Sequence, residues 1–155
     1  MTDEAVNIHA TAIVLGTCGF LFVGPSGAGK TVAALSCLAA ARASGLFAAL
    51  VSDDQVLISV RNGRIIARRP ASIAGLAEIR GAGIVRVETI PSAVMDFAVQ
   101  PVKSPFEPRL PPENEVFALP SGNFLALLRL PFAEGLNSLE ILRLILPQNT
   151  NFQGR

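Results

Sequence analysis

The sequence predicts an α/β fold built around a phosphate-binding loop, with a mixed sheet, flanking helices and at least one β-hairpin. Three observations carry that expectation. Gly24-Pro25-Ser26-Gly27-Ala28-Gly29-Lys30-Thr31 matches the P-loop pattern at every defined position. The apolar run 19–23 before it reads as a buried strand, and the Ala- and Leu-rich run 31–43 after it reads as a helix. Arg61-Asn62-Gly63-Arg64 separates two strand-like runs, 55–60 and 65–69, and Asn-Gly in that setting is the strongest short-range hairpin signal. Average residue usage gives the loop pattern by chance in about one chain in a few hundred of this length. The flanking strand and helix lower that figure further.

The remaining elements follow in order. Runs 12–15 and 19–23 meet near Gly16-Thr17 as a hairpin, and the helix stops at Ser44-Gly45. Run 46–51 is continuously apolar and ends in Ser52-Asp53-Asp54, a buried strand with carboxylates at its carboxyl edge. Pro70 ends the second hairpin, and 71–76 reads either as one helical turn or as a loop. A strand is expected over 93–99. Residues 101–112, rich in proline and charge, read as a surface loop. Run 124–130 reads as a strand and 138–146 as strand or helix. No repeat and no second domain emerges.

At 155 residues the chain is expected to form one domain over 1–147, with a flexible tail over 148–155. A net charge of +1 gives no electrostatic ground for a nucleic-acid partner. Half the residues are apolar, which points to surface buried between subunits of a homo-oligomer, although a tight α/β core raises the same fraction. Cys18 and Cys37 lack metal-ligand spacing and read as free buried thiols. With no leader and no apolar run long enough to span a bilayer, the expected location is the cytoplasm, away from membranes.

The loop supplies a nest of backbone N–H groups at a helix N-terminus, with Lys30 reaching terminal phosphates and the Thr31 hydroxyl holding Mg²⁺. Asp53-Asp54 stands where a Walker B carboxylate is expected, at the end of an apolar strand after the P-loop helix. Neighbours in a strand face opposite ways, so one aspartate serves the metal and the other the acceptor; the alternative is two exposed acids opening a turn. His9, the sole histidine, reads on its own as a solvated residue more readily than as a catalyst. Glu78, beside Arg80-Gly81-Ala82-Gly83, reads equally as a metal ligand or a solvated acid. Arg109 reads as a surface arginine, with a transition-state clamp as the alternative. Arg61, Arg64, Arg68 and Arg69 read as decorating a solvated hairpin, with docking of an acidic partner as the alternative.

Together these residues resemble the catalytic domain of HPr kinase/phosphorylase, the bacterial enzyme that phosphorylates a serine of the carrier protein HPr. The family has a histidine before the strands leading to the P-loop, as His9 is here. Its signature Glu-Ile-Arg-Gly-Leu-Gly-Ile is nearly reproduced by the segment from Glu78 to Ile84. Pro25 and Thr31 are mild variants of its P-loop. The resemblance covers about 9–137. It implies a core like that of phosphoenolpyruvate carboxykinase, a hexamer, and ATP with Mg²⁺ as donor, with pyrophosphate as the alternative donor. It also implies roles: Gly24 to Thr31 around the donor phosphates, Asp54 as base, Glu78 as second metal ligand, and His9 and Arg109 as active-site residues.

Two departures shape the expectation. The N-terminal domain of the long family members is not in this sequence, which resembles the short catalytic versions. The family's Pro-Val-Arg-Pro-Gly-Arg-Asn segment, tied to the reverse reaction, corresponds to Pro131-Phe132-Ala133-Glu134-Gly135-Leu136-Asn137, and both arginines are gone. The expected function is a serine kinase acting on HPr or a paralogue, with phosphorolysis weak or lost. The alternatives are a P-loop kinase for another acceptor and a non-enzymatic nucleotide sensor.

Overall fold

A computed structural model describes residues 4–147 and 150 of the chain. The elements run β1 (Val6–Ile8), β2 (Thr11–Leu15), β3 (Cys18–Phe22), α1 (Lys30–Ala43), β4 (Ala48–Ser52), β5 (Val56–Arg61) and β6 (Arg64–Arg68). After a 3-10 turn at Ala71–Ile73 come β7 (Leu76–Ile79), β8 (Gly83–Arg86), β9 (Ser92–Met95), β10 (Phe97–Val102), β11 (Val116–Ala118), β12 (Phe124–Pro131) and α2 (Ser138–Ile145). The expected tail lies outside the described residues except for Thr150.

A six-stranded sheet in the order β11-β12-β10-β3-β2-β4 forms the centre. It is mixed: β10 runs parallel to both β3 and β12, while β2 is antiparallel to β3 and β4. Every residue of β2, β3 and β4 is buried, because both faces of the sheet are covered. Alternate side chains divide between two cores. Ile13, Leu15, Phe20 and Phe22 pack with Ala34, Leu38, Leu139 and Leu142 of the helices. Ala12, Val14, Leu21 and Val23 pack with Val56, Ile58, Ile65 and Met95 of a four-stranded sheet ordered β1-β5-β6-β9. The continuous apolar runs in the sequence are the signature of this three-layer burial.

Local chemistry sets the boundaries. The β5–β6 turn has φ of 51° at Asn62 and 74° at Gly63, the left-handed pair a tight hairpin needs. Helix α1 stops where Gly45 N–H donates to the Arg42 carbonyl and Leu46 N–H to the Ala41 carbonyl, a Schellman closure. The segment open between strand and helix is α2, started by the Asn137 side chain accepting from the amides of Leu139 and Glu140.

The strand expected over 93–99 is two strands in two sheets. Asp96 sits at the break: its amide donates to the Gly19 carbonyl at 2.8 Å and its carboxylate accepts from the Gly19 amide at 2.8 Å. The sheets meet here closely enough that a Cβ on Gly19 would lie 1.9 Å from the Val94 carbonyl oxygen. Strand β10 also extends through Pro101, expected in the loop. Beyond Val99 it pairs with β12 and no longer with β3, so on that side no partner needs the missing N–H.

Both cysteines are buried free thiols. Burial pushes each from 9.0 up to about 12, with Asp96 adding to the effect at Cys18. Folding therefore favours the neutral thiols. Their contribution to stability is complete below pH 9 and is lost as the pH rises towards 12. Native protein at about pH 8 is expected to resist a thiol-titrating disulfide reagent and to react fully once unfolded. Rapid titration of both thiols in the native state would contradict the burial described.

Candidate active site

The carboxyl end of β3 opens into the P-loop, and the parallel neighbours β10 and β12 end on the same side. Open α/β sheets place ligands at this edge. Residues of the P-loop after β3, Lys103 after β10 and Phe132 after β12 form one wall of a cleft of about 340 Å³; His9, Asp53, Asp54, Glu78 and Arg80 contribute to its lining.

The P-loop builds its half from backbone. Gly29, with φ of 90°, caps α1 without any side-chain acceptor, and the first turn of the helix carries no acidic residue. The orphan N–H groups and the positive end of the helix dipole are thus left for an anion. Gly27, at φ 84°, completes the curve. Lys30 is buried, and its ammonium donates to the carbonyls of Gly24 at 2.8 Å and Pro25 at 3.1 Å. Burial holds its pKa below the usual lysine range; Asp54 opposes this, Arg80 adds to it, and Asp53 opposes it.

Asp53 is the buried acid of the pair. Its Oδ1 accepts from the hydroxyls of Thr31 at 2.7 Å and Thr11 at 3.0 Å, and its Oδ2 from the Glu78 amide at 2.9 Å. Asp54 turns the other way, towards the cleft mouth, with Oδ1 3.0 Å from His9 Nδ1. For that contact to be a hydrogen bond the proton sits on Nδ1. The division between the aspartates was expected from strand alternation, but its cause differs. Strand β4 ends at Ser52, and Asp54 is left-handed at φ 67°, so a backbone reversal separates the two carboxylates.

Of the residues singled out in the sequence, the cleft brings together His9, Ser26, Gly27, Gly29, Lys30, Thr31, Asp53, Asp54 and Glu78. Glu78 uses its main chain to hold Asp53 and keeps its exposed carboxylate at the cleft wall. Arg109 does not join them. It lies within the wholly exposed stretch 103–114, which has no strand pairing to draw it over the P-loop. Besides Val32, three lining residues had no role from sequence. Arg80 donates to the Ser26 hydroxyl at 3.0 Å, Lys103 donates to the Gly27 carbonyl at 3.4 Å, and the Phe132 ring stands beside Gly29.

The donor set suits Mg²⁺ in the form that accompanies a nucleotide. Thr31 and Asp53 offer a hydroxyl and a carboxylate in contact. No group of three or more His, Cys, Asp or Glu poised for a metal occurs among the described residues. Mg²⁺ takes few protein ligands and completes its shell with phosphate and water. The same Asp53 carboxylate is structural. Replacing Asp53 with Ala strands two hydroxyls and an amide, and urea unfolding is expected to show a loss of about 2–4 kcal/mol. Asp53→Asn, which keeps an acceptor, is expected to lose less than half of that.

The family model for the HPr Serine kinase C-terminal domain matches residues 2–95, a span that holds His9, the P-loop, both aspartates and Glu78. The HPr kinase/phosphorylase of Mycoplasmopsis pulmonis is 29% identical over 104 residues, covering 63% of this chain and 32% of the relative. That of Clostridium beijerinckii is 34% identical over 84 residues, covering 54% and 26%. The matched part thus spans about a third or less of those relatives' length. The solved Hpr(Ser) kinase/phosphatase from Coxiella burnetii shares the fold, with a TM-score of 0.71 at 20% identity over 90% of this chain and 87% of that one. No helix among the described residues is long and apolar enough to cross a membrane.

Proposed function

This chain belongs to the HPr serine kinase C-terminal domain family, and on that footing we propose that it transfers the terminal phosphoryl group of Mg²⁺–ATP to a serine of an HPr-type carrier. The observation that carries this reading is the split pair of aspartates. Asp53 is committed to Thr31 inside the cleft, while Asp54 is paired with His9 at its mouth.

Each residue then has a distinct task. The P-loop amides and Lys30 hold the donor phosphates, and Thr31 with Asp53 would hold the Mg²⁺, whose charge offsets that of the phosphates. Glu78 stands near enough to the same wall to take part. Asp54 accepts the proton from the serine hydroxyl through the oxygen that His9 leaves free. His9 orients that carboxylate and spares it from turning back on Lys30. A positioned base of this kind contributes about 10²–10⁴ in rate.

Intact-mass measurement of an HPr-type carrier after incubation with the protein, Mg²⁺ and ATP is expected to show a gain of one phosphate on a serine. Asp54→Asn is expected to cut that transfer by roughly 10²-fold or more while leaving nucleotide affinity within about threefold. An equally active Asp54→Asn would remove Asp54 from the base role. Nucleotide binding without any carrier phosphorylation would move the weight to another acceptor or to a nucleotide sensor.

The reverse reaction is expected to be impaired. The segment from Pro131 to Asn137 brings the Phe132 ring to the cleft and carries the exposed Glu134, where the resembling family has arginines. Losing a preorganised cationic or N–H donor costs about 10²–10³ in rate. Pyrophosphate release from phosphoserine carrier and inorganic phosphate should therefore run at least about 10²-fold slower than the kinase reaction. Comparable rates would refute this.

A further inference from the structure

The chain contains two lysines, Lys30 and Lys103, and both reach the P-loop; every other basic side chain apart from His9 is arginine. Lys30 belongs to the phosphate-binding pattern itself. Lys103 comes from a distant part of the chain and has no part in the proposed chemistry as so far described. The geometry points to Lys103 as a second phosphate-contacting lysine, one that binds the terminal phosphate of the donor and makes the cleft favour a triphosphate over a diphosphate.

Its place is set by the sheet. Lys103 is the first residue after β10, whose last residue, Val102, is in register with Pro131 at the end of β12. The Val102 carbonyl also accepts from the Phe132 amide at 2.8 Å. Since β10 runs parallel to β3, the residue leaving β10 emerges beside the loop leaving β3. The Lys103 Cε lies 3.8 Å from where a Gly29 Cβ would stand, and its ammonium reaches the Gly27 carbonyl at the loop apex.

That apex is the terminal-phosphate end of the site. The helix N-terminus at Gly29 to Thr31 takes the inner phosphates, and the lysine of the pattern reaches outward to the β- and γ-phosphates. A cation over Ser26-Gly27 therefore meets the outermost group. Arg80 also approaches the apex but is held by the Ser26 hydroxyl at 3.0 Å. Both bonds are exposed and made to neutral oxygens, and that of Lys103 is the longer. Exchanging it for a phosphate oxygen sets the ammonium against a full negative charge in place of a carbonyl dipole, and the four-carbon stem allows the swing. A diphosphate, lacking the outer group, leaves Lys103 where it is.

The inference rests on the proposed function only for its nucleotide, not for its acceptor. Calorimetric titration of the whole chain with Mg²⁺–ATP and with Mg²⁺–ADP tests it, using wild type, Lys103→Met and Lys103→Arg. Lys103→Met is expected to weaken ATP binding by roughly tenfold or more while ADP binding changes by less than about threefold, and Lys103→Arg to restore most of the preference. Retained ADP binding shows that the variant is folded. Equal losses for both nucleotides, or no loss for either, would overturn the assignment. Because the readout is binding, failure to phosphorylate a carrier would sink the acceptor and leave Lys103 standing. Wild type that binds neither nucleotide would sink both.

Discussion

The carboxylate of Asp53 joins four elements that are far apart in the chain. It stands just beyond β4 and accepts from Thr11 in β2, Thr31 in α1 and the backbone of Glu78 in β7. A buried carboxylate is tolerable only with its lone pairs engaged, and here three donors share two oxygens. Removing any one of the elements would leave the acid short of partners. The same arrangement holds the Thr31 hydroxyl in contact with a carboxylate, the pair a nucleotide-bound Mg²⁺ needs. Stability and site geometry thus rest on a single group.

The three-layer packing makes that arrangement possible. A central sheet covered on both faces buries β2, β3 and β4 completely, so their carboxyl and amino ends are fixed relative to one another. Interiors packed to crystal-like density transmit little slack. The P-loop, Asp53 and the end of β10 are consequently held to one edge by core side chains such as Phe20, Phe22 and Leu50 that never touch the cleft. The close approach at Gly19, locked by the two bonds to Asp96, ties the second sheet to this edge as well.

Local signals made much of this legible in the sequence. The P-loop, the Asn62-Gly63 turn and the stop of α1 are each decided by a few adjacent residues whose backbone preferences are strong. Asp53 and Asp54 were readable as a pair because they follow an apolar strand. What was not legible depended on partners distant in sequence. The break at Asp96 needs Gly19 as its reason, and an uninterrupted β pattern across 93–99 hides it. Resemblance places Arg109 at the site, whereas the position of Lys103 is dictated by parallel pairing of β10 with β3. Phe132 likewise reaches the cleft through its strand register with β10. The Glu78 amide could not have been foreseen at all, since its role belongs to the main chain and not to its carboxylate.

The charges of the cleft are distributed with a direction. Lys30, Arg80 and Lys103 gather on the P-loop side, while Asp54 and Glu78 face it from the wall formed beyond β4 and on β7. On the proposed function, a polyphosphate enters with its anionic oxygens on the cationic side and its terminal phosphorus turned to the carboxylates. Repulsion between that phosphate and Asp54 is eased by the metal and by the hydrogen bond from His9. The acceptor must then approach along the carboxylate side. A neutral hydroxyl does so without electrostatic cost and finds a base there. A phosphoserine dianion, the substrate of the reverse reaction, meets Asp54 and Glu78 with only the Phe132 ring contributed by the neighbouring segment. On the proposed function, the polarity that favours transfer out of the cleft opposes transfer back into it, and one arrangement of five charged side chains sets both tendencies.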